Sequence, residues 1–62
     1  MENWKEISKV IPPNNKVINT KIDDEHGVRN VQELKKVNNM WYLPDDSMYV
    51  YYTPTHWKEI EN

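Results

Sequence analysis

The sequence predicts a mainly β domain, a small antiparallel sheet or meander that spans residues 1–62 as a single unit. Its 62 residues include six valines, five isoleucines, four tyrosines and three tryptophans, but no alanine and no phenylalanine. β-branched and aromatic side chains suit a pleated, half-buried surface, whereas alanine and leucine favour helices. Proline and asparagine clusters also divide the chain into segments of strand length.

The first two strands are predicted on either side of the turn Pro12–Asn15. Asn3–Ile7 is a short first strand, and Val17–Asp23 is the second. The second strand alternates apolar and polar residues, which places one set on a buried face: Ile18, Thr20 and Ile22. The polar turn that follows holds the only glycine, Gly27, and we expect a positive φ there.

The segment from Val28 to Val37 is open to two interpretations. A helix would align four of its residues in one stripe: Val28, Val31, Gln32 and Lys35. Against the helix, only Asn38-Asn39 separates this segment from Met40–Leu43, and asparagine pairs of this kind form tight hairpin turns. We therefore expect a strand, with an α+β domain that has one short helix around residues 28–37 as the alternative.

The last third of the chain predicts a turn at Leu43–Ser47, a strand at Met48–Tyr52 and a final strand at Thr55–Ile60. Pro54 cannot donate a ladder hydrogen bond, so pairing should end there.

The tetrapeptide Trp-Lys-Glu-Ile occurs twice, at Trp4–Ile7 and at Trp57–Ile60. In so small a sheet we expect the two termini to lie close together, each burying a tryptophan and an isoleucine. A chance match is the alternative.

Composition excludes several classes of function. The chain has no cysteine, so disulfides, zinc fingers and iron–sulfur clusters are excluded. No stretch approaches the roughly 20 apolar residues of a membrane span, and no signal-peptide pattern follows Met1. The formal net charge is −2, which disfavours nucleic-acid binding. Charge is uneven along the chain, because residues 9–39 carry +2 and residues 40–62 carry −3.

No residue pattern indicates catalysis, a metal or a cofactor. His26 stands beside three carboxylates, but consecutive residues on a turn rarely converge on one ion, so a solvated turn is expected. Ser8 or Ser47 could be combined with His56, yet the chain has no nucleophile elbow and no glycine-rich phosphate loop. We expect a protein that is not an enzyme.

The aromatic residues of the second half are the best candidates for a binding surface. Alternation puts a tyrosine on each face of the strand Met48–Tyr52, and so small a domain can hardly bury them all. Exposed aromatic side chains with a polar tip are typical of binding hot spots. The predicted partner surface consists of Trp41, Tyr49, Tyr51 and His56.

The same region carries a family resemblance. Trp41-Tyr42, Pro44-Asp45-Asp46 and the closing Tyr51-Tyr52-Thr53-Pro54-Thr55-His56-Trp57 resemble the end of the small phage and prophage proteins called domain of unknown function 551. The opening elements of that family correspond to Trp4, Ile7, Ile11-Pro12 and Val17-Ile18. The chain differs by ending at Asn62 without a proline-rich tail.

The resemblance implies a compact, mainly antiparallel domain of phage accessory genes, with no catalytic residues to transfer. The leading hypothesis is a phage accessory protein that binds and occludes a host protein, an enzyme or a defence component, in the bacterial cytoplasm. One alternative is a nucleotide-type small ligand stacked on an aromatic ring, in a site between subunits. Another is a single-stranded nucleic-acid binder that uses the aromatic residues with Lys21, Arg29, Lys35 and Lys36.

A homodimer is also expected. A chain this small has a marginal core, and an open sheet edge with spare aromatic residues favours association with a second copy.

Overall fold

Residues 3–60 of the computed structural model form one six-stranded antiparallel sheet and contain no helix. In space the strand order is β1-β6-β2-β3-β4-β5. The mainly β prediction is therefore confirmed, and no helix between residues 3 and 60 could cross a membrane. The strands are β1 (Lys5–Glu6), β2 (Val17–Asp24), β3 (Gly27–Val37), β4 (Met40–Tyr42), β5 (Tyr49–Val50) and β6 (His56–Lys58).

The long hairpin of β2 and β3 is the centre of the sheet. In β2 the alternate residues Ile18, Thr20 and Ile22 are buried, as the pattern predicts. The turn between the strands ends at Gly27, whose φ of 103° confirms the expected positive value. A β-bulge at Asn30 (φ 55°) adds one residue to β3, which interrupts the register between Thr20 and Ile22 of β2.

The helix alternative for residues 28–37 is wrong, because this segment is strand β3. Its second half pairs with strands on both sides, with β2 through Leu34 opposite Ile18 and with β4 through Lys36 opposite Trp41. The turn Asn38-Asn39 connects β3 to β4 and so allows them to pair, and Asn38 adopts a φ of 56° there. Hairpin pairing on both sides therefore outweighs the helix propensity of the local sequence.

The predicted strand Met48–Tyr52 is shorter in the structure, where β5 contains only Tyr49 and Val50. The chain bends at Tyr51 and Tyr52 and leaves the edge of the sheet. It then reaches the central strand β2, beyond β4 and β3 in the strand order, where the N–H of Thr55 donates to the Lys21 carbonyl at 3.0 Å. Tyr52 lies against the core, so the bend turns one tyrosine inwards while Tyr51 stays in solvent.

One face of the sheet carries the core. Four buried side chains form it: Ile18, Leu34, Trp41 and Trp57. Half-buried residues from the loops and strand edges pack against them: Ile7, Leu43, Val50 and Tyr52. The loop after β1 is held to this core because the indole Nε1–H of Trp57 donates to the Val10 carbonyl at 2.9 Å.

The two copies of Trp-Lys-Glu-Ile lie side by side, as predicted, so the first and last segments of residues 3–60 are close together. In the pairing of β1 with β6, Lys5 is opposite Trp57. The two tryptophans are not equivalent, because Trp57 is buried in the core whereas Trp4 is only half-buried on the other face of the sheet. The ammonium groups of Lys21 and Lys58 lie 4.5 and 4.9 Å from the centre of the Trp4 ring, within cation–π range.

Candidate functional site

The structure divides the predicted partner residues between two grooves. Trp41, Tyr49 and Tyr51 line an open groove of about 220 Å³ at the β5 end of the sheet. His56 lines a larger open groove of about 470 Å³ near the β1 end. Thr53 contributes to both grooves, so the segment between β5 and β6 connects them.

Tyrosine rings form a continuous row at the β5 end. The rings of Tyr42 and Tyr49 meet edge to face with centroids 5.9 Å apart, and those of Tyr49 and Tyr51 do so at 5.2 Å. Cross-strand pairing explains the first contact, because Tyr42 lies opposite Tyr49. Edge-to-face packing of this kind adds roughly 0.5–1.5 kcal/mol to simple burial. The row therefore holds Tyr49 in a fixed orientation.

The exposed part of this region is the tyrosine patch, which we define as Met40, Tyr49 and Tyr51. Tyr51 is 89% exposed, and Tyr49 and Met40 are each 38% exposed. Continuing the register of β4 with β5 places Met40 opposite Tyr51 across the groove. These three side chains and Tyr52 thus line a small concavity that opens to solvent.

Trp41 has a different position from the other predicted residues. It is only 5% exposed and belongs to the core cluster, and it lines the groove from inside. Its ring therefore supports the tyrosine patch and is not part of the exposed surface.

The loop before β5 gives the tyrosine patch an acidic border. Asp45 accepts a hydrogen bond from the Ser47 N–H at 3.0 Å. Bonding to the Ser47 side chain and then to its N–H lowers the pKa of Asp45. Asp46 pairs with Lys35 at 2.6 Å, and the Lys35 side chain is 13% exposed. The carboxylate of Asp45 has no lysine or arginine partner among the contacts of the described residues.

His56 lies in the second groove in a hydrogen-bond network. Its Nδ1 shares a hydrogen bond of 2.7 Å with the Thr55 hydroxyl, which also accepts from the Asp23 N–H at 2.8 Å. Its Nε2 is 4.0 Å from a carboxylate oxygen of Glu6. The other oxygen of Glu6 binds Lys9 at 2.9 Å, and this bond is the main reason that the pKa of Glu6 is lowered.

The second groove has no assembled catalytic group within residues 3–60. Ser8 and His56 both line it, but none of the hydrogen bonds found among these residues joins them. The described part of the chain also has no group of three or more His, Asp or Glu side chains that could hold a metal ion. The groove offers two carboxylates, an imidazole and hydroxyl groups beside the apolar side chains of Ile7 and Pro54.

The four cations of the nucleic-acid alternative all have local partners. Three of them form ion pairs with carboxylates and the fourth donates to a backbone carbonyl, at distances between 2.6 and 3.3 Å. The partners are Asp23 for Lys21, Asp24 for Arg29, Asp46 for Lys35 and the Asn38 carbonyl for Lys36. They do not form one open basic surface of the kind that follows a phosphate backbone.

The acidic turn of the β2–β3 hairpin is a structural feature. Asp24 accepts hydrogen bonds from the guanidinium of Arg29 at 2.8 and 3.1 Å, and from the His26 N–H at 2.9 Å. The bonds to Arg29, followed by the bond from His26, lower the pKa of Asp24 to about 2. This network orders the turn and explains the cluster of charges there.

Sequence reasoning missed the second groove as a unit. Glu6, Asp23 and His56 are far apart in the chain, and they meet only because β6 lies between β1 and β2. No local motif signals that order of strands. The sequence indicated His56 as a candidate binding residue, but it did not indicate that Glu6 and Asp23 lie beside it.

Comparison of the chain with protein-family models, with curated proteins and with solved structures gives no match.

Proposed function

We propose that this protein is a binding protein without enzymatic activity, and that it docks on another protein through the tyrosine patch. The observation that carries the proposal is the exposure of Tyr51 beside Tyr49 and Met40 at one end of the sheet. Tyrosine and methionine are enriched in protein–protein interfaces, and tyrosine is enriched among the residues that dominate binding energy.

The size of the groove beside the patch also supports a protein partner. Small-molecule sites usually enclose about 300–1,000 Å³. The groove between Met40 and Tyr51 measures about 220 Å³, which is small for a ligand but suitable for one anchoring side chain. The rigid row from Tyr42 to Tyr51 loses little conformational entropy on binding, because its rings are already in contact.

The biological setting of the proposal comes from the family resemblance. Phage accessory proteins of this size act inside the infected bacterium, so the partner we propose is a host protein of the bacterial cytoplasm. Binding would occlude a surface of a host enzyme or of a defence component. Part of the tyrosine row belongs to the motifs that carry the resemblance, because these motifs include Tyr42 and Tyr51.

Affinity capture from bacterial lysate tests this function. Three tagged proteins are compared: the wild type, Tyr51→Ala, and Ile11→Ala. Ile11 is 78% exposed on the loop between β1 and β2, so it controls for the loss of any exposed apolar side chain. The proposal expects a host protein that the wild type and Ile11→Ala retain and Tyr51→Ala loses, and that binds again after purification. Equal recovery by all three proteins would refute docking at the tyrosine patch.

The second groove supports a second candidate function, the binding of a small ligand. Its volume of about 470 Å³ lies within the usual range for such sites, and His56, Glu6 and Asp23 supply polar contacts at its wall. Mass spectrometry of small molecules released from the purified wild type and from His56→Ala tests this candidate. A compound bound by the wild type alone supports it, and identical empty spectra would exclude it.

A further inference from the structure

Strand edges are open at β1, at the first half of β3 and at β5, and the first two of these edges are protected against further strand pairing. β1 is an outer strand with two charged residues, Lys5 and Glu6. The first half of β3 has β2 on one side only, because β4 begins to pair at Lys35, and the β-bulge at Asn30 interrupts that half. Charged residues and bulges are the usual means by which proteins prevent an edge from adding strands.

The third edge, β5, has neither of these protections. Tyr49 and Val50 are uncharged, the strand contains no proline, and its pairing with β4 has no register shift. Its exposed neighbours Met48 and Tyr51 are apolar or aromatic. Only the short length of β5 limits the pairing of a further strand with it, and this length results from the bend of the chain at Tyr51.

The backbone of Tyr49 is oriented to pair with an added strand. The N–H of Leu43 donates to the Met48 carbonyl at 3.0 Å, so these two residues form a hydrogen-bonded pair of the hairpin. Hydrogen-bonded and non-hydrogen-bonded pairs alternate along antiparallel strands. The next pair, Tyr42 with Tyr49, is therefore not hydrogen-bonded. The N–H and C=O groups of Tyr49 consequently point away from β4, towards the open edge.

Charge at this edge favours a basic occupant. From Val37 to Trp57 the chain has two carboxylates, Asp45 and Asp46, and no lysine or arginine. Lys35 pairs with Asp46, which leaves the negative charge of Asp45 unbalanced at the start of β5. At the other end of β5, the face of the Tyr51 ring is open to solvent, and a neighbouring apolar side chain can enter the groove there.

We infer that β5 binds an extended basic segment of another protein as an additional antiparallel strand. This inference rests on the proposed function and specifies its partner. The segment has an apolar residue that fills the groove between Met40 and Tyr51, followed by a lysine or arginine that pairs with Asp45. A strand rises about 3.4 Å per residue, so these two side chains are about two to four residues apart. Backbone bonds to Tyr49 supply affinity that does not depend on the rest of the partner's sequence.

Selection from a display library of random ten-residue peptides tests this inference. The full chain is the bait, and Tyr49→Ala and Tyr49→Pro are the matched variants. Both variants lose the ring, but only the proline variant loses the outward N–H, and proline is tolerated at this kind of edge position. We expect selected peptides with an apolar residue two to four positions before a basic one. They should bind Tyr49→Pro at least tenfold more weakly than Tyr49→Ala.

A second measurement avoids any change to the protein. The best selected peptide is synthesised with and without N-methyl groups on the residues that would face β5, and both forms are titrated into the wild type. N-methylation should weaken binding at least tenfold, because it removes backbone donors and leaves the side chains intact. Equal binding of the two forms would overturn strand addition, as would a library that yields no enriched peptides or peptides without a basic residue.

Two outcomes separate this inference from the proposed function. If a captured host protein depends on Tyr51 but binds Tyr49→Pro and Tyr49→Ala equally, docking at the tyrosine patch holds and strand addition is refuted. If the free protein sediments as a dimer whose Tyr49 amide is protected from hydrogen exchange, a second copy occupies the edge and the inference of a basic segment is refuted.

Discussion

Replacing Leu34 by alanine tests the central strand of the fold at its most buried position. Leu34 is fully buried opposite Ile18, whereas Val31, three residues earlier in the same strand, is 61% exposed. A helix with Val28 and Val31 on its buried stripe would make Val31 the more important of the two. The strand geometry makes the opposite prediction, so Val31→Ala is the matched control.

The structure sets the magnitude of this effect. The substitution removes three carbon atoms from the core, worth about 0.8 kcal/mol each on transfer from water. The cavity that remains raises the total to about 3–5 kcal/mol. A domain of this length has a stability of roughly 0.05–0.15 kcal/mol per residue, or about 3–9 kcal/mol in all. Leu34→Ala therefore removes about a third or more of the free energy of unfolding, while Val31→Ala changes it by less than about 0.5 kcal/mol.

Urea denaturation followed by tryptophan fluorescence measures both variants, because Trp41 and Trp57 pack in the same core cluster as Leu34. If Leu34→Ala is unfolded in buffer, Leu34→Val provides a milder deletion with a cost of about 1 kcal/mol. A loss for Val31→Ala equal to that for the Leu34 variants would refute the account of β3 as a strand that buries Leu34 and exposes Val31.

Three further predictions concern single contacts. Gly27→Ala should cost about 1 kcal/mol in thermal denaturation because φ is 103° there, and Gly27→Asn should cost less, because asparagine tolerates positive φ better than alanine. A Cβ meets no atom within 4 Å, so backbone strain and not a clash sets both costs. The pKa of Asp24 is lowered to about 2, so its pairing with Arg29 stabilises the fold fully above about pH 4, and this stabilisation is lost as the pH falls towards 2. Urea titrations at several pH values should therefore show that the free energy of unfolding of Asp24→Asn falls less steeply with acid than that of the wild type. Trp57→Phe should cost about 1–3 kcal/mol in the same assay, because the Val10 carbonyl loses its donor, and no loss would contradict that role.

The parts of the sheet that depend on residues close together in the chain could be predicted from the sequence. Alternation identified the buried residues of β2, and Asn38-Asn39 identified the hairpin that decides between strand and helix for residues 28–37. Tyr49 and Tyr51 share a face, as alternation predicts, and their rings are in contact. These features depend on neighbours in the chain, which a single sequence records.

Long-range features could not be predicted in the same way. The insertion of β6 between β1 and β2 brings His56 to Glu6 and Asp23, and no local pattern encodes that order. The bend at Tyr51 shortens the predicted strand Met48–Tyr52, because the chain must cross to Lys21 in the central strand β2. Burial of Trp41 likewise depends on the loops that cover the core, so its place below the surface required the structure.

The affinity of the captured host protein for purified variants tests the central claim most directly. Calorimetric titration of the wild type, Tyr51→Ala and Ile11→Ala gives three dissociation constants. Removal of a binding hot spot costs about 2 kcal/mol or more, which is a weakening of about thirtyfold. The account predicts this loss for Tyr51→Ala and an unchanged constant for Ile11→Ala. Equal dissociation constants for Tyr51→Ala and the wild type would contradict docking through the tyrosine patch.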